Sequence, residues 1–113
     1  MDILLVGEDE VFLRVLALEL ALMGATVRTV NDSDTLRRAL EDACPEVVVL
    51  DHIEPADLFA LNPRVCGYGG PLVVLIEHDV PQTTLESLED PRILRKPLLP
   101  SSLLPQIRVF VTG

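Results

Sequence analysis

One run of apolar residues constrains the fold of this 113-residue chain more than any other feature. Residues 47–50 read Val-Val-Val-Leu, and Pro45 and Pro55 lie on either side of the run. A short, continuous apolar run rich in β-branched residues is typical of a strand buried on both faces, as in a parallel sheet. Asp51 follows directly. Because ligands and reacting groups collect at the carboxyl ends of strands in an open α/β sheet, Asp51 is placed to act as a nucleophile or a metal ligand.

Two further short runs, read as strands, are also followed by charged residues. The run 3–6 is followed by Gly7 and the acidic residues 8–10, and the run 92–95 is followed by Lys96. Carboxylates after one strand, an aspartate after another and a lysine after a third would converge at one edge of a parallel sheet. Such an acidic pocket with one cation suits Mg²⁺ and a phosphoryl group. Acidic residues also suit the positive end of the following helix, so some of residues 8–10 need serve no other purpose.

The rest of the chain alternates between strand and helix patterns. Glycines at 67, 69 and 70, with Pro63, predict that the third helix is a stub followed by an irregular loop. Five strands separated by helical stretches predict an α/β fold with a doubly wound parallel sheet. The predicted strands are 3–6, 25–30, a run ending at Asp51, 72–76 and 92–95. The first four predicted helices are 10–23, a helix from the cluster 31–34 to residue 43, 57–61 and 81–88, and Gly24 is the predicted C-terminal cap of the first. The last helix is predicted to be capped by Ser101 or Ser102, with Pro105 in its first turn.

Length and charge limit the classes of function. The chain is long enough for one domain, residues 1–113, whose core needs no disulfide. Nine basic and 18 acidic residues give a net charge of −9, which phosphate backbones repel, so we expect no direct binding to nucleic acid. Cys44 and Cys66 lack the spacing of a metal site. No apolar run approaches membrane-spanning length and the chain begins at once with a strand, so we expect a cytoplasmic protein without a membrane partner.

Three motifs together resemble the receiver domain of two-component response regulators. They are the acidic cluster after the first strand, the segment from Asp51 to Pro55 after the third, and Lys96-Pro97 after the fifth. The resemblance covers residues 3–111. It implies a flavodoxin-like strand order 2-1-3-4-5, here with a shortened third helix. It also implies a signalling protein rather than an enzyme, in which Asp51 accepts a phosphoryl group in a phosphorelay and Lys96 pairs with the phosphoryl oxygens.

The resemblance further implies a cofactor and partners. Mg²⁺ would be held by Glu8, Asp51 and the backbone carbonyl of Ile53. The acidic pair is open: strand length places it at Gly7 and Glu8, which we prefer, whereas matching the acidic string places it at Glu8 and Asp9. The expected partners are a histidine kinase or phosphotransfer protein, and an effector protein or an output domain of the same chain. A homodimer is left open.

Two positions depart from the receiver pattern. The hydroxyl position at the end of the fourth strand is Ile76, and the aromatic position on the fifth strand is Ile93. We therefore expect an atypical receiver in which phosphorylation is weakened and docking surfaces matter more. The candidate surface is an excess apolar face on the first helix, formed by Leu18 and Leu22 with Ala21 beside them, unless neighbouring loops cover it.

Two other protein classes share features with this chain. A small Mg²⁺-dependent phosphohydrolase of the haloacid dehalogenase type also uses an aspartate nucleophile, but it carries an Asp-x-Asp pattern after the first strand, which residues 7–10 do not supply. A flavodoxin relative would need a phosphate-binding loop rich in Ser, Thr and Gly at the same place. The hydrolase is the alternative function.

Overall fold

The computed structural model describes residues 1–51, 53–97 and 99–112. Strands and helices alternate along them: β1 (Asp2–Val6), α1 (Glu10–Leu22), β2 (Thr26–Val30), α2 (Ser33–Asp42), β3 (Val47–Leu50), α3 (Pro55–Leu61), β4 (Leu72–Ile76), α4 (Gln82–Ser87), β5 (Arg92–Arg95) and α5 (Pro100–Thr112). No helix in these ranges is long and apolar enough to cross a membrane.

The five strands form one parallel sheet in the order β2-β1-β3-β4-β5, which confirms the predicted fold class and strand order. The central strand β3 pairs with β1 and β4. Its four residues are at most 1% exposed, and alternate members belong to two apolar clusters. Because successive side chains of a strand point to opposite faces, and helices cover both faces, every position of β3 must be apolar.

Helix α1 packs on the sheet through one face only. Leu13, Leu16 and Leu20 are its buried residues. The helix stops at the predicted glycine: Gly24 has a φ of +96°, which favours glycine, and its N–H donates to the Ala21 carbonyl at 3.0 Å.

Helix α3 is short, as predicted, but the segment after it is held by specific bonds. The Arg64 guanidinium donates hydrogen bonds to the carbonyls of Tyr68, Gly70, Leu88 and Glu89 at 2.7 to 3.1 Å. One arginine therefore satisfies carbonyls on both sides of the gap between this loop and the end of α4. The loop is irregular in secondary structure but fixed in place, since buried backbone carbonyls need donors.

The start of α5 differs from the prediction. The helix begins at Pro100, and the N–H groups of Ser102 and Leu103 donate to the Leu99 carbonyl at 2.9 and 3.0 Å. Proline is favoured at the first helical position because its fixed φ suits the helix and its missing N–H needs no partner there. Pro105 consequently lies inside the helix and not in its first turn.

Candidate functional site

Asp51 and Lys96 meet at the carboxyl edge of the sheet. Asp51 follows β3, and its N–H donates to the Val6 carbonyl at 2.7 Å, which extends the pairing of β3 with β1 by one residue. Lys96 follows β5 and extends the pairing with β4 in the same way, through a 2.8 Å bond from its N–H to the Ile76 carbonyl. The Lys96 ammonium forms an ion pair with Asp51 Oδ1. The side chains are 14% and 5% exposed, so this is a largely buried pair.

The ammonium of Lys96 has two further neighbours that sequence reasoning missed. Glu77 is the first residue after β4, and its Oε1 lies 3.3 Å from Lys96 Nζ. The ring centroid of Phe12, on α1, lies 3.9 Å from the same nitrogen, close enough for a cation–π contact. Glu77 could have been found, since it is a carboxylate at a strand end; Phe12 lies on a helix and carried no such signal. One cation therefore has two carboxylate partners at this site.

Gly7 fits against Asp51 so closely that a side chain could be added only if Asp51 shifted. A Cβ at position 7 would lie 2.8 Å from Asp51 Cβ and 3.5 Å from Asp51 Oδ2. Real Cβ atoms do not approach so closely, so a larger residue would displace Asp51. Strand length placed Gly7 at the first position of the acidic pair. Because glycine has no side chain, the carboxylate of Asp51 has room beside β1.

Glu8 lies in an acidic group with residues of α3 and the loop before it. Glu8 is exposed, and the limited loss of water around its carboxyl is the first cause that raises the pKa of this group. The nearby Asp57 raises it further, through its charge and a hydrogen bond between the two carboxyl groups, and the charge of Glu54 adds to this, while a backbone hydrogen bond at Glu54 acts in the opposite direction. A raised pKa means that Glu8 holds its proton more readily than an ordinary glutamate.

Asp9, the alternative member of the acidic pair, stabilises the start of α1. Its Oδ1 accepts a hydrogen bond from the Phe12 N–H at 3.0 Å, the usual role of an N-cap aspartate.

Ile53 is 8% exposed and its side chain belongs to the core. No group of three or more His, Cys, Asp or Glu side chains suited to a metal occurs among residues 1–51, 53–97 and 99–112. The predicted magnesium ligands include only two such side chains, Glu8 and Asp51, so this finding does not test them.

The two departures from the receiver pattern lie where the sequence placed them. Ile76 is the last residue of β4 and is 5% exposed, so its side chain fills apolar space and offers no hydroxyl. Ile93 lies on β5 and is 37% exposed. The candidate site therefore combines a buried carboxylate and a shared ammonium, and the end of β4 beside it offers no hydroxyl.

Comparison with known proteins bears on the fold. No protein-family model and no curated protein matched the sequence. Solved structures did. NtrX from Brucella abortus, in complex with ATP, is similar at a TM-score of 0.77 and 22% identity over 98% of this chain, which spans 27% of that protein. Two others are spanned almost completely: CheY4 from Vibrio cholerae (TM-score 0.76, 17% identity, 96% of each chain) and the BeF3-activated receiver domain of RstA from Klebsiella pneumoniae (0.75, 21%, 98% of each). The chain has the receiver-domain fold of response regulators.

Proposed function

We propose that this chain is a receiver domain of two-component signalling, with Asp51 as the phosphoryl acceptor. The observation that carries the proposal is the buried ion pair between Asp51 and Lys96 at the carboxyl edge of a sheet with the receiver fold. A carboxylate and an ammonium drawn from two different strand ends supply a nucleophile and a cation at one place. The proposed donor is a histidine kinase or phosphotransfer protein, and the proposed recipient of the signal is an effector or an output domain of the same chain.

The proposed reaction is transfer of a phosphoryl group from a phosphohistidine. A carboxylate oxygen of Asp51 attacks phosphorus, the new O–P bond forms, and the N–P bond to the partner's imidazole breaks with its electron pair leaving on nitrogen. Asp51 is anchored by its N–H bond to Val6, so the nucleophile is held in position before the donor arrives. Lys96, already paired with Asp51, is the proposed counter-charge for the negative charge that develops on the phosphoryl oxygens.

Mg²⁺ is the cofactor proposed for this step. Oxygen donors are what Mg²⁺ prefers, and Asp51 Oδ1 is buried with no hydrogen-bond donor in the described part of the chain apart from the ion pair with Lys96. Glu8, Asp51 and the Ile53 carbonyl are the proposed ligands, as the receiver resemblance implies, and the observation on Asp51 supports that residue. When bound, the ion would offset the repulsion between the Asp51 carboxylate and an anionic donor. Because Gly7 contributes no side chain and the pKa of Glu8 is raised, we expect the affinity to be low.

The site also explains why we propose a weak acceptor. Ile76 cannot donate the hydrogen bond that a hydroxyl would give to a phosphoryl oxygen. Glu77 shares the ammonium that the phosphoryl group needs. Both features reduce stabilisation of the product while leaving the nucleophile in place. The hydrolase alternative gains nothing from the geometry, since glycine follows β1 and the buried aspartate follows β3.

Phosphorylation is tested with acetyl phosphate and Mg²⁺, measured by intact-mass spectrometry. We expect slow labelling of the wild-type chain, none of Asp51→Asn, and more of Ile76→Thr, about tenfold if the new hydroxyl contributes one hydrogen bond of about 1.4 kcal/mol. Beryllofluoride binding, followed by NMR, should rank the variants in the same order. Labelling that persists in Asp51→Asn would refute the assignment of the acceptor, and tight beryllofluoride binding by the wild type would refute a weakened pocket.

A further inference from the structure

Helix α1 carries an exposed apolar stripe, formed by Val11, Val15, Leu18 and Leu22, that the proposed phosphoryl site does not use. These side chains are 72%, 53%, 63% and 80% exposed, respectively. Leu18 and Leu22 confirm the apolar face expected from the sequence, and Val11 and Val15 extend it along the helix. The stripe lies opposite the buried face of α1, so it projects away from the sheet.

The spacing of the stripe is that of a helix–helix seam. Its members are four, three and four residues apart, which is the repeat of a coiled coil. In that repeat the central residues Val15 and Leu18 occupy the positions that favour a β-branched residue and a leucine, respectively, in two-stranded parallel pairs, whereas Val11 and Leu22 at the ends have the two residue types exchanged. A helix that only packs on a sheet does not need a second seam on its outer face.

The two charged residues within α1 after its first turn flank this seam on opposite sides. Arg14 and Glu19 are both exposed, and neither forms an ion pair with another residue in the ranges that the structure describes. They are five residues apart, the offset at which flanking positions of two parallel, in-register helices face each other. In an antiparallel pair, by contrast, the side of the stripe that carries Arg14 would face the same side of the partner helix.

We propose that the α1 stripe binds the α1 stripe of a second copy of this chain, in a parallel, two-fold symmetric pair. Arg14 of each copy then lies beside Glu19 of the other, which gives two equivalent ion pairs, and this complementarity selects the parallel arrangement. The inference is independent of phosphate acceptance at Asp51.

The contact continues beyond the stripe on the Glu19 side. There a groove of about 620 Å³ runs between α1 and the start of α5, with Phe12, Val15 and Leu99 in its lining, and Leu99 is 69% exposed. The partner's helix would lie along the edge of this groove. A standard interface buries roughly 800 Å² on each partner, and one face of a 13-residue helix offers less surface than that. Each copy also carries a charge of −9, which repels the other copy. The dimer is therefore weak and forms at high concentration.

Self-association is tested by sedimentation velocity and NMR relaxation from micromolar to millimolar protein. The wild type should shift from monomer to dimer, and Leu18→Glu should remain monomeric with an unchanged circular dichroism spectrum. Val109→Glu is the matched control, because Val109 is also an apolar helical residue, 64% exposed, but lies on α5 outside the stripe. A monomeric wild type at all concentrations, or a dimer that survives Leu18→Glu, overturns the proposal.

Charge reversal tests the parallel register. Arg14→Glu and Glu19→Arg should each weaken the homodimer about tenfold, since two exposed ion pairs become two repulsions. The double variant should recover wild-type association, and an equimolar mixture of the two single variants should form heterodimers. Association that ignores both reversals, or a double variant that is no better than the singles, overturns the parallel arrangement.

Discussion

Replacing Lys96 with methionine should destabilise the domain more than any other single charge removal at the site. Methionine keeps an apolar stem beside Phe12 but leaves the Asp51 carboxylate buried without its cation. Breaking a buried ion pair by removing one partner costs about 3–5 kcal/mol. Since the Lys96 side chain is 14% exposed, we expect the lower end of that range, about 3 kcal/mol. With a urea dependence of about 1.5 kcal/mol per molar, the unfolding midpoint should fall by about 2 M.

Two companion variants separate the pair from its surroundings. Glu77→Gln should cost only about 0–1 kcal/mol, because Glu77 is 53% exposed and water screens its contact with Lys96. Adding Asp51→Asn to Lys96→Met should restore most of the lost stability, since no unpaired charge then remains buried. A Lys96→Met variant that loses less than about 1 kcal/mol, or a double variant no more stable than Lys96→Met, would show that the Asp51 charge is compensated by something other than Lys96.

Two further predictions concern packing and pH. Gly7→Ala should lower the free energy of urea unfolding by about 1–3 kcal/mol, because the new Cβ would lie 2.8 Å from Asp51 Cβ. Gly69→Ala is the control and should be nearly neutral, because its Cβ would meet nothing within 4 Å. Equal effects of the two substitutions would contradict the close packing of Gly7 against Asp51. A hydrogen bond from the Thr35 N–H holds the pKa of Asp32, the N-cap of α2, below its usual 3.8. The resulting stabilisation is present above that value and is lost as pH falls through the lowered pKa, so Asp32→Asn should flatten the thermal stability profile below about pH 4; profiles of identical shape would argue against the cap.

The strand ends were the part of the fold that the sequence predicted best. Residues 3–6 of β1 and all residues of β3 and β4 are apolar and buried, and a glycine or a charged residue follows each of these runs. Such runs mark both where a strand lies and where it leaves the sheet, whereas the edge strands β2 and β5 are more exposed. This is why Asp51 and Ile76 could be placed at one edge from the sequence, whereas Lys96 was placed there by the Lys96-Pro97 motif. The assignment of metal ligands to Glu8 and Ile53 stays a prediction.

The direction in which a side chain points at the site could not be predicted from the sequence. Residue spacing places Glu8 near the sheet edge, but whether its carboxyl turns towards Asp51 or towards Asp57 depends on loop geometry. The same holds for Arg64, whose four carbonyl partners come from segments up to 25 residues away. Long-range contacts of this kind leave no periodic pattern in a sequence. The start of α5 was predicted too late because Ser101 and Ser102 both suit an N-cap, whereas the helix begins at Pro100.

The energetics of the proposed phosphoryl site bear on how the α1 stripe would be used. Shifting a two-state equilibrium almost completely from one conformation to the other takes about 5.5 kcal/mol of differential binding. In the proposed site, a phosphoryl group on Asp51 could draw Lys96 away from Glu77, but that exposed contact is worth only about 0–1 kcal/mol. The hydroxyl bond that would add about 0.5–1.5 kcal/mol is missing at Ile76. These contributions fall short of a strong switch, whereas the stripe is exposed whatever the state of Asp51. We therefore expect recognition through α1 to persist in Asp51→Asn, and a variant that loses self-association would show that the site and the stripe are coupled after all.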